Sequence, residues 1–141
     1  MQNSGFHTIK GYESAKGEQL TNAMEDYLEM ICRYAKTDGY ARIGVLSSKL
    51  NVRPSSASKM VNHLKDAGLV EFEKYGLIKP TQEGIEMGNY LLRRHNVLQE
   101  FFCYLNSSEC ELEQVEQVEH FINKTTLENI EKFMEKIHEK E

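Results

Sequence analysis

The chain has 141 residues, 40% of them hydrophobic and 28% charged, which is the usual balance of a soluble globular protein. It holds no apolar run long enough to span a membrane and no secretory signal, so we expect a cytoplasmic protein without a membrane partner. The three cysteines, Cys32, Cys103 and Cys110, lack a CxxC spacing. They are predicted to be reduced thiols rather than a disulfide frame or a zinc site.

Charge is distributed unevenly along the chain, whose formal net charge is −5. Between Arg42 and Lys79, seven basic residues accompany three acidic ones, for a net charge of +4. Between Glu100 and Glu141, eleven glutamates accompany four lysines, for a net charge of −7. The pattern predicts that the basic segment binds phosphate groups and that the acidic segment binds a cation. Two solvated faces would produce the same pattern, so charge alone does not decide.

The first predicted helix follows an N-terminal arm over residues 1–20, which lacks hydrophobic periodicity. Asn22 with Glu25 three residues later predicts a capping box that begins this helix. Apolar residues then recur at helical spacing until Asp38-Gly39, where the helix is predicted to end.

The next segment contains the parts of a winged helix. Two short helices, over 44–50 and from Pro54 to about Ala67, are predicted on either side of a tight turn. Two strands are then predicted over 70–74 and 77–79, with a turn between them. In the first of the short helices, the residues predicted to point inward are Val45, Leu46 and Leu50.

Three further helices are predicted in the remainder of the chain. The first extends from Thr81 to about Leu105 and has an apolar side along its whole length. Ser108 with Glu111 predicts a capping box for the second, and Thr125 with Glu128 predicts one for the last.

The second helix of a helix-turn-helix enters the major groove of DNA, so its polar face is a candidate for base recognition. Lys59 and Asn62 have the longest hydrogen-bonding side chains near the centre of that face. Nearby basic residues, Lys79 included, are placed to meet phosphates. Any exposed helix face is polar, however, so polarity alone is weak evidence. The candidate DNA-binding residues are Arg53, Ser55, Ser56, Ser58, Lys59, Asn62, Lys65 and Lys74.

Two acidic clusters and one histidine have the spacing of metal ligands. Residues three or four apart on a helix share a face, which applies to a pair in the first helix and to three residues predicted to lie on one later helix. Carboxylate and imidazole ligands without thiolate favour a hard ion such as Mn²⁺. Each cluster is also typical of a solvated helix face or of acidic residues near a helix N-terminus. The candidate ligands are Asp26, Glu29, His95, Glu116, Glu119 and His120.

The last predicted helix carries large apolar residues on one side. Such a stripe on a terminal helix requires a partner surface, which predicts that the stripe forms a homodimer interface. The stripe consists of Leu127, Ile130, Phe133, Met134 and Ile137.

From about Thr21 onward, the sequence resembles the DtxR/MntR family of metal-dependent repressors, particularly its manganese-responsive branch. Iron-sensing relatives place a methionine where Asp26 stands and a cysteine where Glu119 stands, so the resemblance favours manganese. The wing around Tyr75-Gly76 is a residue shorter than the usual family pattern. The matching segments are Met24–Glu29, Gly39–Arg42, Pro54–Ser56, Ser58–Val61, Tyr75–Leu77, Arg94–His95 and Val115–His120.

The resemblance implies a homodimeric repressor that binds palindromic double-stranded operator DNA and controls manganese uptake. It implies a binuclear Mn²⁺ site at the six candidate ligands, with Fe²⁺, Co²⁺, Zn²⁺ or Cd²⁺ as substitutes, and neither enzyme activity nor a small-molecule substrate. The expected fold is mainly α with a small β-hairpin wing. The expected domains are an arm over 1–20, a winged helix-turn-helix over 21–80, and a helical metal-binding and dimerisation domain over 81–141.

Three alternatives stay open at this point. The first is another regulator, either iron-responsive or a winged-helix protein that uses no metal. The second is an enzyme such as a di-metal carboxylate oxygenase or a hydrolase, but ferritin-like sites need two Glu-x-x-His pairs. Here Glu116-x-x-Glu119-His120 occurs once. The third, a protein-only interaction module, leaves the basic segment 42–79 unexplained.

Overall fold

The computed structural model describes residues 20–140, so the predicted N-terminal arm, apart from Leu20, lies outside the described residues. The protein is mainly helical with a small antiparallel sheet, as predicted. No helix within residues 20–140 is long and apolar enough to cross a membrane. The helices are α1 (Asn22–Asp38), α2 (Ile43–Leu50), α3 (Pro54–Asp66), α4 (Gln82–Asn106), α5 (Leu112–Val118) and α6 (Lys124–Lys140). The strands are β1 (Ala41–Arg42), β2 (Val70–Phe72) and β3 (Leu77–Pro80), and 3₁₀ turns span Lys74–Gly76 and Glu119–Phe121.

The chain divides between Gly88 and Asn89 into two compact units. Unit 1 contains α1 to β3 and the first turns of α4. Its core brings α1, α3 and β3 together around side chains that have no exposed surface. These are Leu28, Ile31, Leu46, Val61, Leu64 and Ile78, among others.

Helix α1 begins one residue earlier than the predicted capping box. Thr21, not Asn22, is the N-cap, because its backbone is extended and its hydroxyl accepts a hydrogen bond of 3.1 Å from the Met24 amide. An N-cap needs such a non-helical backbone, and Asn22 is already helical. The helix ends at Gly39, whose φ of 86° suits a residue without a Cβ.

Helix α2 buries a different set of residues from the predicted one. Leu46 and Ser47 are buried, whereas Val45 is 41% exposed and Leu50 is only half-buried. The prediction for Val45 is therefore wrong. A helix of eight residues turns only one narrow face to the core, and the hydroxyl of Ser47 fits there because it donates to the Gly44 carbonyl at 3.1 Å.

The wing belongs to a three-stranded sheet with the order β1-β3-β2. Strand β1, which was not predicted, pairs antiparallel with β3 through Ala41 opposite Ile78 and Arg42 opposite Leu77. Two residues are too few to show the alternation that identifies a strand from sequence. Strand β2 ends at Phe72, earlier than predicted, because the chain turns over Lys74–Gly76.

Unit 2 contains the rest of α4 and the elements from α5 to α6. Its core is Leu98, Val115 and Leu127, all without exposed surface. Partly buried residues pack around this core, among them Val97, Phe102, Ile122 and Ile130. One apolar residue from each of α4, α5 and α6 thus holds the three helices of the unit together.

Both predicted capping boxes in unit 2 are wrong. Ser108 donates to the Glu111 side chain at 2.6 Å, and the Glu111 amide donates instead to Gln99 Oε1 at 2.9 Å. The Ser108 hydrogen bond lowers the pKa of the Glu111 carboxyl. For α6, Asn123 replaces Thr125 as the cap, because its Oδ1 accepts a 2.8 Å hydrogen bond from the Thr126 amide.

The start of α4 lies against the end of the loop that leads into β2. The Thr81 hydroxyl accepts a hydrogen bond from the Gly84 amide at 3.1 Å and donates to the Gly68 carbonyl at 2.7 Å. A Cβ on Gly84 would collide with the Leu69 carbonyl, which is backbone and has little freedom to move. Gly84 therefore permits a helix-to-loop approach that no larger residue permits.

We expect Gly84→Ala to lower the free energy of unfolding by about 1–3 kcal/mol, the usual cost of overpacking. Gly44→Ala is the matched control, because a Cβ on this other helical glycine meets nothing within 4 Å. Alanine at position 44 should stabilise α2 by up to about 1 kcal/mol, because glycine loses more conformational freedom than alanine when a helix forms. Urea denaturation of both variants checks the pair, and an equal effect of the two substitutions would contradict the close approach at Gly84.

Candidate metal centre and nucleic-acid interface

The predicted recognition helix, α3, is held to unit 1 by a short apolar stripe. Ala57, Val61 and Leu64 have no exposed surface. Asn51, with a φ of 56°, makes the tight turn before the helix, and Pro54 occupies its first turn, where a missing amide hydrogen is not needed. The stripe therefore fixes which face of α3 points to solvent.

The face of α3 opposite that stripe carries the residues predicted to bind DNA. Ser58 is half-buried, and the other predicted residues on the helix and beside it are exposed. The exposed ones are Arg53, Ser55, Ser56, Lys59, Asn62, Lys65 and Lys74. This surface offers cationic groups for phosphates and short polar groups for base edges.

The wing and the neighbouring strand β1 add three observations that the sequence did not suggest. Tyr75 at its tip is 93% exposed and has a φ of 66°, an unusual backbone for a residue with a Cβ. Lys79, predicted to meet phosphates, lies 3.7 Å from the Glu73 carboxylate, which partly neutralises it. Arg42 on β1 stacks over the Tyr40 ring at 5.2 Å and is an additional exposed cation.

Asp26 and Glu29 lie one turn apart on α1. The Asp26 side chain is exposed and the Glu29 side chain is half-buried. Cys32 follows in the same helix, but burial raises the pKa of its thiol to about 11 and its Sγ donates to the Gly84 carbonyl at 3.6 Å. Cys32 is thus a protonated thiol at neutral pH.

Glu119 and His95 come together inside unit 2. Glu119 is only 4% exposed, and its Oε1 lies 3.4 Å from His95 Nδ1. That oxygen is completely buried and accepts no hydrogen bond from any residue between 20 and 140. A buried carboxylate oxygen without a hydrogen bond is costly unless a cation is close to it. The donor types at this position therefore fit a divalent metal ion.

The other two ligands predicted in unit 2 have different surroundings. Glu116 is exposed on α5, whereas His120 is half-buried. Helix α5 ends at Val118, so Glu119 and His120 belong to the 3₁₀ turn that follows and not to the same helix as Glu116. The prediction of one continuous ligand helix is wrong, because the chain tightens where Ile122 joins the core.

His120 is hydrogen-bonded to a residue to which the sequence assigned no role. Its Nδ1 lies 3.4 Å from Nη2 of Arg94, which is only 3% exposed. Arg94 stands between Leu91 and Leu98 on the buried stripe of α4. An arginine at a core position of an apolar stripe is the sequence signal that would have identified it.

Within residues 20–140, no three histidine, cysteine, aspartate or glutamate side chains lie close enough together to hold a metal ion. Two of the six predicted ligands, His95 and Glu119, are observed in contact with each other. The cysteines of unit 2 lie elsewhere, since Cys103 and Cys110 both contact Gln99 at 3.9 Å.

The predicted dimer stripe on α6 divides into two classes of residue. Leu127 and Met134 are buried in the core of unit 2, so they are not accessible to a partner, and the prediction is wrong for these two. Phe133 is 42% exposed. Its ring lies 5.9 Å from that of Phe101 and 6.1 Å from that of Tyr104 on α4. A shallow apolar groove of about 340 Å³ is lined by Phe101, Leu105, Thr126, Asn129, Ile130 and Phe133.

Two family descriptions together match nearly the whole described chain. Residues 19–77 match the N-terminal DNA-binding domain of the iron dependent repressors. Residues 81–141 match the metal binding and dimerisation domain of the same family.

Individual proteins show the same relationship. The HTH-type transcriptional regulator MntR of Listeria welshimeri is 35% identical over 111 residues, which are 78% of this chain and 78% of that protein. The protein of the same name from Oceanobacillus iheyensis is 33% identical over 78% of this chain and 76% of its own length.

Among solved structures, T. acidophilum IdeR superposes with a TM-score of 0.64 at 26% identity over 82% of this chain. The chain spans 55% of the length of that protein. The winged helix-turn-helix, the helical unit with its buried carboxylate, and these matches lead to one conclusion: the chain belongs to the iron-dependent repressor family of metal-dependent, DNA-binding transcriptional regulators.

Proposed function

We propose that the protein is a manganese-dependent repressor that acts in the cytoplasm, binds palindromic operator DNA as a homodimer and controls manganese uptake. The observation that carries the proposal is the buried Glu119 carboxylate, whose Oε1 lies 3.4 Å from His95 Nδ1 and has no hydrogen bond within the described part of the chain. The chain matches a metal binding and dimerisation domain, and a buried anionic oxygen of this kind is suited to bind a cation there.

The proposed ligands are the six residues identified from the sequence: Asp26, Glu29, His95, Glu116, Glu119 and His120. When bound, a divalent cation neutralises the carboxylates of this set. Glu119 and His95 supply buried donors, whereas Glu116 is exposed and free to adjust to the ion. The number of donors in the set supports two ions per subunit.

Manganese is favoured over iron by the chemistry of two positions. Asp26 and Glu119 both offer carboxylate oxygens, which suit a hard ion, whereas thioether or thiolate ligands at these positions would suit softer metals. The relatives named MntR at 33% and 35% identity support the same branch of the family.

DNA recognition is proposed to divide between two kinds of residue on unit 1. Lys59 and Asn62, exposed on α3, read base edges in the major groove. Lys65, Lys74 and Arg53 are exposed cations that contact phosphates and position the helix.

The proposed dimer surface is the exposed aromatic part of unit 2. Phe133, Tyr104 and Leu105 are 42%, 46% and 56% exposed and lie on α6 and α4. Ile130 and Ile137 border this surface and are partly accessible. Large apolar side chains grouped in this way are typical of protein interfaces.

Manganese should strengthen operator binding by about 5- to 150-fold, the usual scale of coupling between two sites. Affinity for a specific operator is measured in chelator and in excess Mn²⁺. Glu119→Gln, which removes the buried charge, should lose most of this response. Glu113→Gln, an exposed glutamate on α5, is the matched control and should keep it. Equal operator affinities with and without Mn²⁺ in the wild type would refute the proposal.

Substitutions on α3 should separate positioning from base recognition. Lys65→Ala should weaken binding to all sequences equally and reduce the salt slope by about 1. Asn62→Ala should relax the preference at one base pair, at a cost of about 1–3 kcal/mol. Lys136→Ala, an exposed lysine on α6, serves as control. An unchanged sequence profile for Asn62→Ala would show that Asn62 reads no base.

Phe133→Glu should convert the dimer to a monomer that no longer holds a palindromic site, because it places a charge in the apolar surface. Sedimentation velocity measures the change, with Lys132→Glu, an exposed neighbour on α6, as control. If Phe133→Glu leaves the dimer intact, the interface lies elsewhere.

A further inference from the structure

Arg94 is a buried cation beside a residue of the proposed metal centre. It is 3% exposed, and its Nη2 forms a 3.4 Å hydrogen bond with Nδ1 of His120. The two residues come from different elements of unit 2, α4 and the 3₁₀ turn at Glu119–Phe121. The contact therefore links the long helix to the turn that carries two of the six ligands.

The chemistry of the two side chains fixes the direction of this hydrogen bond. A guanidinium has only N–H donors and stays protonated, so Arg94 donates and His120 Nδ1 accepts. A neutral imidazole has one bare nitrogen and one N–H. With Nδ1 bare and accepting from Arg94, the proton of His120 resides on Nε2.

This arrangement leaves His120 without a nitrogen lone pair for a metal. Metal binding requires a bare ring nitrogen, and the other nitrogen then usually donates its N–H to an oxygen acceptor. Nδ1 is bare but occupied by Arg94, and Nε2 is protonated. Ligation through Nδ1 uses the lone pair that accepts the hydrogen bond from Arg94. Ligation through Nε2 moves the proton to Nδ1, where it faces a guanidinium that cannot accept a hydrogen bond. Either route therefore breaks the hydrogen bond from Arg94.

We propose that Arg94 is a positioning residue that holds His120 in its metal-free tautomer and is displaced when a divalent cation binds. Through this competition Arg94 sets the concentration of metal at which the centre fills. The inference rests on the proposed function, since His120 is one of the proposed ligands. Arg94 itself is not a ligand, and its effect on metal affinity acts through His120.

The first test measures the tautomer of His120 in the metal-free wild-type protein. Long-range ¹H–¹⁵N NMR at about pH 8, where an ordinary imidazole is neutral, distinguishes a protonated Nε2 from a protonated Nδ1. We expect the Nε2–H tautomer with a hydrogen-bonded, unprotonated Nδ1. A proton on Nδ1 would overturn the proposal, because Arg94 would then have no acceptor there. This measurement needs no variant and no metal.

The second test measures Mn²⁺ affinity by titration calorimetry without DNA. Arg94→Met retains an unbranched apolar stem but cannot donate, so Mn²⁺ should bind about tenfold more tightly, the lower end of the effect of a hydrogen bond from a charged donor. Unchanged or weaker binding by a folded Arg94→Met variant would overturn the proposal.

Arg93→Met is the matched control for the second test. It removes the same charge from the adjacent position of α4, but Arg93 pairs with Glu131 at 3.2 Å and lies over the Tyr90 ring. An equal gain in affinity for both variants would show a general charge effect and overturn the proposal. If the wild type binds no Mn²⁺ at all, the proposed function fails, while the His120 tautomer still decides whether Arg94 acts on His120.

Discussion

The buried carboxylate of Glu119 is the constraint that the packing of unit 2 has to satisfy. At 4% exposure, its negative charge has lost nearly all contact with water, and the contact with His95 Nδ1 at 3.4 Å compensates for only part of that loss. Arg94 and His120, the chain neighbours of His95 and Glu119, form a second polar contact that is partly buried. Helix packing through Leu98, Val115 and Leu127 holds these groups in position. The burial of these apolar side chains offsets the unfavourable free energy of burying the polar groups. A divalent cation bound to Glu119, as we propose, would compensate for the unfavourable burial of this charge.

In unit 1, the side chains proposed to bind DNA are exposed to solvent, apart from the half-buried Ser58. The apolar stripe of α3 is completely buried, and the polar face opposite to it, which we propose to bind DNA, is exposed to water. Long-range attraction to phosphate depends on exposed cations and tolerates small errors in their position. A metal ligand needs a more exact position, and the buried Glu119 beside His95 is held by the packing of unit 2.

The sequence alone identified the candidate site residues and missed how they are held. Carboxylates and histidines at helical spacing were visible in the chain, whereas the 3₁₀ turn at Glu119–Phe121 was not, because a helical periodicity continues through it in sequence. Arg94 was missed for a related reason. Its position between Leu91 and Leu98 marks it as buried, but its partner His120 is 26 residues away, and only the fold brings the two together.

Periodicity by itself determined most of the helices, the polar face of α3 and the β-hairpin, because each depends on local spacing of apolar residues and on turn residues such as Gly39 and Asn51. The tertiary structure alone decided the N-caps of α1 and α6, where nearby polar residues compete. Thr21 took the place of Asn22 through an extended backbone, and Asn123 took that of Thr125. It also decided which apolar residues stay exposed. Leu127 and Met134 lie in the core while Phe133 remains at the surface, because packing with α4 and α5, which no local pattern encodes, covers one side of the stripe.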